Sequence, residues 1–492
     1  MDETEPLLQD ARLVNIEQRD DLLGKDIVDF APDGDQDNPL EWPTAYKWGI
    51  VSLLAFMAFT VTFTCISVVP VANRIVHDLD HGQSSKSASV LLVTIWELGE
   101  AAGPLLIAPL SEVFGRYPVM NAANTLFVAA TVLAALCQST SLFIAARALT
   151  GLAVASNVLN PAIIGDMFVS EERGSAMSIV ALAPLIGGAV GPAISGAIAE
   201  SLGWREVLWG SAVLAAACEI AFLTCFRETY KVAILRRKAA KLRAETGNVA
   251  LRTIYDTDDD VSNARKLWGA IMRPASVFAG SGVLQILSLF GALVFAHFYV
   301  ISTTLPDILQ ETYGLSAAAT GSAFLTFSIG STVTVLLCNT YLDKIYVKLR
   351  EHHKGVGKPE YRLPLVIVGG FLLPFNIAFY GWSAQLQLPL PVILLSVGLL
   401  GATILLGFMP LSAYVVDAFG LHAASGMTAV IVTRCLMGTF LPLAAEPLID
   451  RFGYGLGCTV LGGAGLLLAP IPVFVFRYGD KWRQRSKYSR ES

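Results

Sequence analysis

Long apolar runs alternate with short polar hinges along almost the whole chain. A run of about 20 apolar residues crosses a hydrocarbon core about 30 Å thick. Twelve such runs stand out: about 46–69, 86–108, 118–138, 141–167, 174–199, 206–226, 276–301, 316–342, 363–384, 389–417, 424–448 and 454–476. These spans, numbered 1 to 12 below, predict an all-α integral membrane protein. The hinge between spans 2 and 3 carries the most information. It reads Ala-Pro-Leu-Ser-Glu-Val-Phe-Gly-Arg-Tyr-Pro over residues 108–118. An acid, a Gly-Arg pair and a Pro between two membrane-length segments are the parts of a gate.

Composition supports the class. Apolar residues are 54% of the 492-residue chain and charged residues 15%, where a soluble domain is about 25% charged. Mean hydropathy is +0.57. Lys and Arg placement sets orientation, because both are enriched in cytoplasmic links. The link 227–275 holds eleven basic residues, including Arg236, Arg237, Lys238, Lys241 and Arg243. The link between spans 8 and 9 adds Lys344, Lys348, Arg350, Lys354, Lys358 and Arg362, and the C-terminal tail adds Lys481, Arg483, Arg485, Lys487 and Arg490. With twelve spans all three fall on one side, expected to be cytoplasmic together with both termini.

The expected divisions are an acidic tail (1–41), a six-helix bundle (42–226), a cytoplasmic linker (227–275), a second six-helix bundle (276–476) and a basic tail (477–492). The first tail has 13 acidic against 3 basic residues and is expected to be disordered. It lacks the pattern of a cleavable leader, so span 1 is expected to act as the signal anchor. Its Glu3-Thr4-Glu5-Pro6-Leu7-Leu8 fits an acidic dileucine sorting signal, or is simply polar tail. The seven cysteines lie in or near apolar runs without metal-ligand spacing. No nucleotide-binding fingerprint or nucleophile triad is present. The sequence therefore points away from an enzyme, an ATP-driven pump, a metal site or a nucleic-acid partner.

An offset of about 250 residues relates the halves. Asp166-Met167-Phe168 at the end of span 4 matches Asp417-Ala418-Phe419 at the end of span 10. Met177 matches Met427, Pro192 matches Pro442, and Gly203-Trp204 matches Gly453-Tyr454. Glu112 has a looser counterpart in Asp343-Lys344. Six plus six spans in parallel repeat form two pseudo-symmetric bundles that can rock about a site near mid-membrane.

Several segments carry a family resemblance. The hinge, with Gly103-Pro104 before it, resembles motif A of the major facilitator superfamily as it occurs in fungal twelve-span drug:proton antiporters. Asn38-Pro39-Leu40-Glu41-Trp42 resembles the segment before their first span, and Arg147-Ala148-Leu149-Thr150-Gly151 resembles motif B. Gly187-Gly188-Ala189-Val190-Gly191-Pro192, with Gly196, resembles motif C, the antiporter motif. Arg434 with Pro442-Leu443 resembles span 11, and Tyr478-Gly479-Asp480-Lys481-Trp482-Arg483 the C-terminal tail. Ala108 and Val113 depart from the general motif A, which opens with Gly and has a basic residue after the acid. The resemblance implies efflux of drugs, toxins or secondary metabolites across a plasma membrane, driven by a proton gradient and no other cofactor. The expected partners are a small-molecule substrate, protons and lipid, with the protein a monomer. A polyamine or other polar-solute carrier of the plasma or vacuolar membrane, and a non-transporting sensor, are the alternatives.

The charged residues then take expected places. Glu112, Arg116 and Asp166 form an inner gate, joined by Arg173, or else anchor the helices at the membrane surface. Glu97 and Glu100 lie inside span 2, roughly 22 and 18 Å from its inner end. A carboxylate there costs about 2.5–3.5 kcal/mol and usually faces a cavity or a partner. Arg147, deep in span 4, is the expected partner. The pair is either the proton-coupling element or a static ion pair, or else the acids simply face solvent. Glu219 in span 6 is a further buried acid. The span 5 residues Gly187, Gly188, Gly191, Pro192 and Gly196, with Pro184, suit a close, kinked seam between bundles. Arg434 either pairs structurally or lines the site. Asn157, Asn160, Gln285, Tyr299, Phe295, Phe327, Tyr380 and Trp382 are cavity candidates, and His297 is an interface residue or a proton site.

Overall fold

The computed structural model describes residues 27–31, 34–81, 85–255, 263–353, 355, 357–486 and 488–489. The dileucine segment lies outside these residues. Among the described residues, eleven helices are long and apolar enough to cross a membrane. One of them, Ala423–Leu468, is 46 residues long. At 1.5 Å per residue it would run about 69 Å, over twice the hydrocarbon thickness. It turns back at Gly453, whose φ of 77° and ψ of 170° break the helix, so spans 11 and 12 are separate crossings and the total is twelve. Gly115 between spans 2 and 3 (φ 99°, ψ 165°) and Gly203 between spans 5 and 6 (φ 114°, ψ 162°) hold nearly the same backbone. This region is essentially closed to residues with a Cβ.

The observed helices differ from the apolar runs mainly at their ends. Span 1 is Thr44–Ile66, followed by the short helix Ala72–Leu79. Span 4 is split into Thr140–Leu152 and Ser156–Met167. Span 7 is Gly282–Asp307, later than expected, because residues from 276 belong to a separate helix, Asn263–Ala279. Span 8 runs ten residues further, to His352. Span 12 ends at Leu468, and Pro470–Arg483 forms its own helix. At span 8 a polar helix continues past the apolar run.

Part of the first tail is also built into the fold. Ile27 and Val28 pair in parallel with Arg252 and Thr253 of the linker. Lys238 on the linker helix Lys231–Thr246 bonds Asp35 at 2.5 Å. The expectation of disorder therefore fails for these residues, which have specific partners in the basic linker.

Each half contains a very close helix crossing at corresponding places. A Cβ on Gly99 of span 2 would collide with the carbonyl of Ala148 in span 4, and one on Gly151 with the carbonyl of Trp96. The second half repeats this: Gly330 of span 8 abuts the Gly398 carbonyl, and Gly401 of span 10 abuts that of Phe327. Gly330 follows Gly99 by 231 residues, as Asp343 follows Glu112, and Gly401 follows Gly151 by 250. The repeat read from the sequence is thus a repeat of backbone packing. Between the halves, Gly321 of span 8 abuts the carbonyl of Pro192, and Gly196 abuts that of Ala317.

The turn at Gly453 gives a direct test. Gly453→Ala is expected to cost about 1–3 kcal/mol, the usual strain of such a backbone. Gly463→Ala, with an ordinary backbone and nothing within 4 Å of its Cβ, is expected to be neutral. Reversible unfolding in mixed micelles measures both.

Candidate functional site

A cavity of about 290 Å³ lies between the halves, walled by spans 1, 2, 4 and 5 on one side and 7, 8, 10 and 11 on the other. The second half supplies most of the aromatic wall. Phe298 lies 5.1 Å from both Tyr299 and Phe327, and Phe295 lies 5.6 Å from Phe408, between ring centroids. The first half brings Glu97, Glu100 and Asn157. Of the cavity candidates, Asn157, Phe295, Tyr299, Phe327 and Arg434 line it.

The others are engaged elsewhere. Asn160 bonds the Leu54 carbonyl at 3.4 Å, and Gln285 bonds the Phe278 carbonyl at 3.0 Å. Buried Tyr380 bonds Thr304, and Trp382 bonds Thr459. His297 is buried with Nδ1 2.7 Å from the Leu293 carbonyl. Asn160, Gln285 and His297 lie on cavity-walling helices but turn away from it, whereas Tyr380 and Trp382 lie on span 9, which contributes nothing to the cavity wall.

The buried charges pair differently from the expectation. Arg434 of span 11 reaches across to Glu100 of span 2 at 2.9 Å. Asn157 also donates to Glu100, at 2.9 Å, and the Trp96 ring nitrogen donates at 3.3 Å. Glu97 accepts a 2.7 Å bond from the hydroxyl of Tyr299 in span 7. Both carboxylates therefore touch the opposite half. Arg147 meets neither. Its guanidinium donates to the carbonyls of Thr64 and Cys65 at 3.0 and 2.7 Å and lies over the Trp96 ring. Those carbonyls belong to the last turn of Thr44–Ile66, which has no intrahelical donors left for them. Glu97, Glu100 and Cys435 bring their ligating atoms within 4.8 Å of one another, but the guanidinium already bound to Glu100 makes this a poor cation site. Glu219 lies on span 6 against Thr125, outside the cavity.

At the face carrying the linker, Arg116 pairs with Asp166 at 3.3 Å and bonds Ser111 Oγ at 2.5 Å. Glu112 is exposed and takes no part in that pairing. Glu228, unremarked in the sequence because it follows span 6 in a basic stretch, takes the place expected for it. It accepts from the backbone N–H of Arg116 at 2.7 Å and of Tyr117 at 3.3 Å, capping the start of span 3. Arg173 donates to the carbonyls of Gly165 and Phe168 rather than to a carboxylate. The second half has its own version, also missed. Arg362 bridges Asp343 and Asp417, the repeat mates of Glu112 and Asp166, the latter at 2.9 Å. The mate relation of the acids was the available signal for Arg362.

The halves are also joined at the opposite face. Lys86 bonds Asp450 at 2.9 Å, Asn73 bonds Asp307 at 2.6 Å, and Gln310 bonds the Pro70 carbonyl at 2.9 Å. The ion pairs of Arg116 and Arg362, by contrast, each stay within one half. The span 5 glycines divide between two neighbours. A Cβ on Gly187 would lie 2.8 Å from the Phe59 carbonyl of span 1, Gly191 faces Phe63, and Gly188 lines the cavity. Pro192 and Gly196 alone form the seam with span 8.

The sequence model of the Major Facilitator Superfamily matches residues 50–442. The chain belongs to this superfamily. Efflux pump radE of Floropilus chiversii is 33% identical over 96% of this chain and 88% of that protein. The MFS-type transporter penM of Penicillium rubens is 34% identical over 94% and 90%. In structure the facilitator resembles the xylose transporter XylE from E. coli, in a partially occluded inward open conformation, with a TM-score of 0.63 and 16% identity over 88% of this chain and 98% of that one. This member of the superfamily is a membrane transporter and not an enzyme.

Because Glu228 satisfies two N–H groups of a helix start, Glu228→Gln is expected to destabilise the protein by about 1–3 kcal/mol, the cost of weakening charged, buried hydrogen bonds. Glu112→Gln, on an exposed side chain, is expected to stay within about 0.5 kcal/mol. The same unfolding titration compares them.

Proposed function

We propose that this facilitator exports small, largely apolar organic molecules in exchange for protons, with its linker face and both termini in the cytoplasm of a cell whose plasma membrane it spans. The observation that carries the reading is the Glu100–Arg434 pair, which joins the two halves in the wall of the cavity. A carboxylate that loses its charge on protonation also loses its hold on a guanidinium. Protonation of Glu100 then loosens the contact between halves at mid-membrane, and deprotonation restores it. The efflux naming of radE supports the direction. The basic links support the orientation.

In the arrangement seen here the halves are latched at the face away from the linker, through Lys86–Asp450 and Asn73–Asp307. Substrate enters from the linker side, and the cavity then opens to the other side when these latches part. Arg116–Asp166 and Arg362–Asp417 serve as the linker-side gate elements. Arg116–Asp166 is the more buried of the two and Arg362–Asp417 the more open.

Transport in sealed inside-out vesicles tests the reading. With an acidic lumen, rhodamine 6G is expected to accumulate, and a protonophore to abolish the accumulation. Asp166→Asn and Arg116→Ala are expected to reduce the initial rate severely. Accumulation that survives the protonophore and requires ATP would contradict proton exchange.

A further inference from the structure

The polar edge that the cavity offers a ligand is a donor. Arg434 has five N–H bonds, and its hydrogen-bond partners, the Glu100 carboxylate and the Cys435 sulfur, both sit on Nη2. Nε has no partner, and Nη1 makes no hydrogen bond either. The side chain keeps 15% of its surface open, and it lines the cavity. The guanidinium carbon lies 4.3 Å from the centre of the Phe295 ring and 5.8 Å from that of Phe408. A flat aromatic wall and the free edge of a guanidinium thus meet at one place.

The carboxylate oxygens of the cavity are, in contrast, used or sealed. Glu100 Oε1 holds Arg434 and Asn157, and Oε2 holds Trp96. Glu97 Oε1 holds Tyr299. Glu97 Oε2 is buried without a partner, and a Cβ on Gly438 would lie 3.5 Å from it, so it is turned into span 11. An ammonium finds no open carboxylate oxygen here. An anion meets two carboxylates for one guanidinium.

We propose that Arg434 recognises the ligand, and that the ligand is a flat, uncharged, apolar molecule presenting a carbonyl-type oxygen: a ketone, ester, lactone or quinone. The oxygen accepts from the free Nη1 edge of Arg434, and the ring system stacks along Phe295 and Phe408. Glu100 is the positioning residue that holds Arg434 over those rings. This deepens the proton-exchange reading and rests on it: protonation frees Arg434 from its tether, so proton and ligand exclude one another, as exchange requires. The ionisable groups around Glu100 are Glu97 on its own helix, Arg434 and Cys435 on span 11, Tyr299 on span 7 and Cys65 on span 1. Arg147 on span 4 is bonded to the span 1 carbonyls.

Equilibrium binding to the purified protein in lipid nanodiscs tests this without any gradient, so failure of vesicle transport and failure of this assignment are separate results. The probes are 2-acetylnaphthalene, the similarly shaped hydrocarbon 2-isopropylnaphthalene, and 2-naphthylmethylamine. A hydrogen bond from a charged donor is worth roughly a tenfold to hundredfold gain. The wild type at about pH 8 is expected to prefer the ketone to the hydrocarbon by at least about tenfold. That preference is expected to shrink as pH falls and Glu100 protonates, and to be small at every pH in Glu100→Gln. The hydrocarbon affinity reports on the cavity itself. The double change Glu100→Gln with Arg434→Gln, which leaves no buried charge from this pair, is expected to bring the ketone-to-hydrocarbon ratio close to one. Equal binding of ketone and hydrocarbon to the wild type would overturn the assignment. So would tighter binding of the amine than of the ketone, or a ketone preference that survives in the double variant.

Discussion

A single ion pair in a low-dielectric setting ties the two halves of this transporter together at their centre. Neither Glu100 nor Arg434 is tolerable there alone: removing one partner of a buried pair typically costs 3–5 kcal/mol, because the other charge is stranded. The remaining demands of the pair are met locally. Asn157 and Trp96 fill the carboxylate, and Phe295 lies against the guanidinium. The partners belong to different halves, so the electrostatic state of the pair and the relative position of the halves are one variable. In the proposed exchange a proton acts on the second by acting on the first.

Such a pair can form only if helices approach closely and hold still. The glycine crossings supply that. Gly99 with Gly151, and Gly330 with Gly401, bring backbones into direct contact in each half, and in lipid this packing takes the place of a hydrophobic driving force. The two crossings correspond by sequence offset, yet the charges they position do not. The offset that relates Gly99 to Gly330 carries Glu97 to Ser328 and Glu100 to Ser331. The offset relating Gly151 to Gly401 carries Arg147 to Val397, and Arg434 has Pro184 as its mate. A symmetric scaffold therefore carries an asymmetric site, acidic on one wall and aromatic with one Arg on the other.

What the sequence shows and what it hides follow from how each contact is made. Apolar length fixes the spans, because it resides in single segments, whereas of the glycines at the closest crossings within each half only Gly151 lies in a motif. That Glu97, Glu100 and Arg434 belong to the cavity wall was one of the readings the sequence offered, and the structure places all three there. Partner choice was not legible. Arg147 and Arg173 bind backbone carbonyls at helix ends, acceptors that leave no mark in a list of side chains. Glu228 caps a helix start 112 residues earlier. Glu100 and Arg434 are 334 residues apart, and only the packing of span 2 on span 11 brings them together. Asn160 and Gln285 sit on cavity-walling helices but face neighbouring elements, and Tyr380 and Trp382 sit on span 9, which does not reach the cavity. Helix rotation is set by packing that a single hydrophobic run does not encode.

The central claim is that this pair, through the charge on Glu100, sets the closure of the face away from the linker. Spin labels at Ser201 and Leu386, exposed on that face in different halves, report the separation by electron–electron dipolar coupling, with the exposed Cys225 replaced by Ser. The account predicts one short, narrow distance at about pH 8, a longer population growing as pH falls, and that longer population at every pH in Glu100→Gln. A distance that is unchanged by pH and by Glu100→Gln would contradict it.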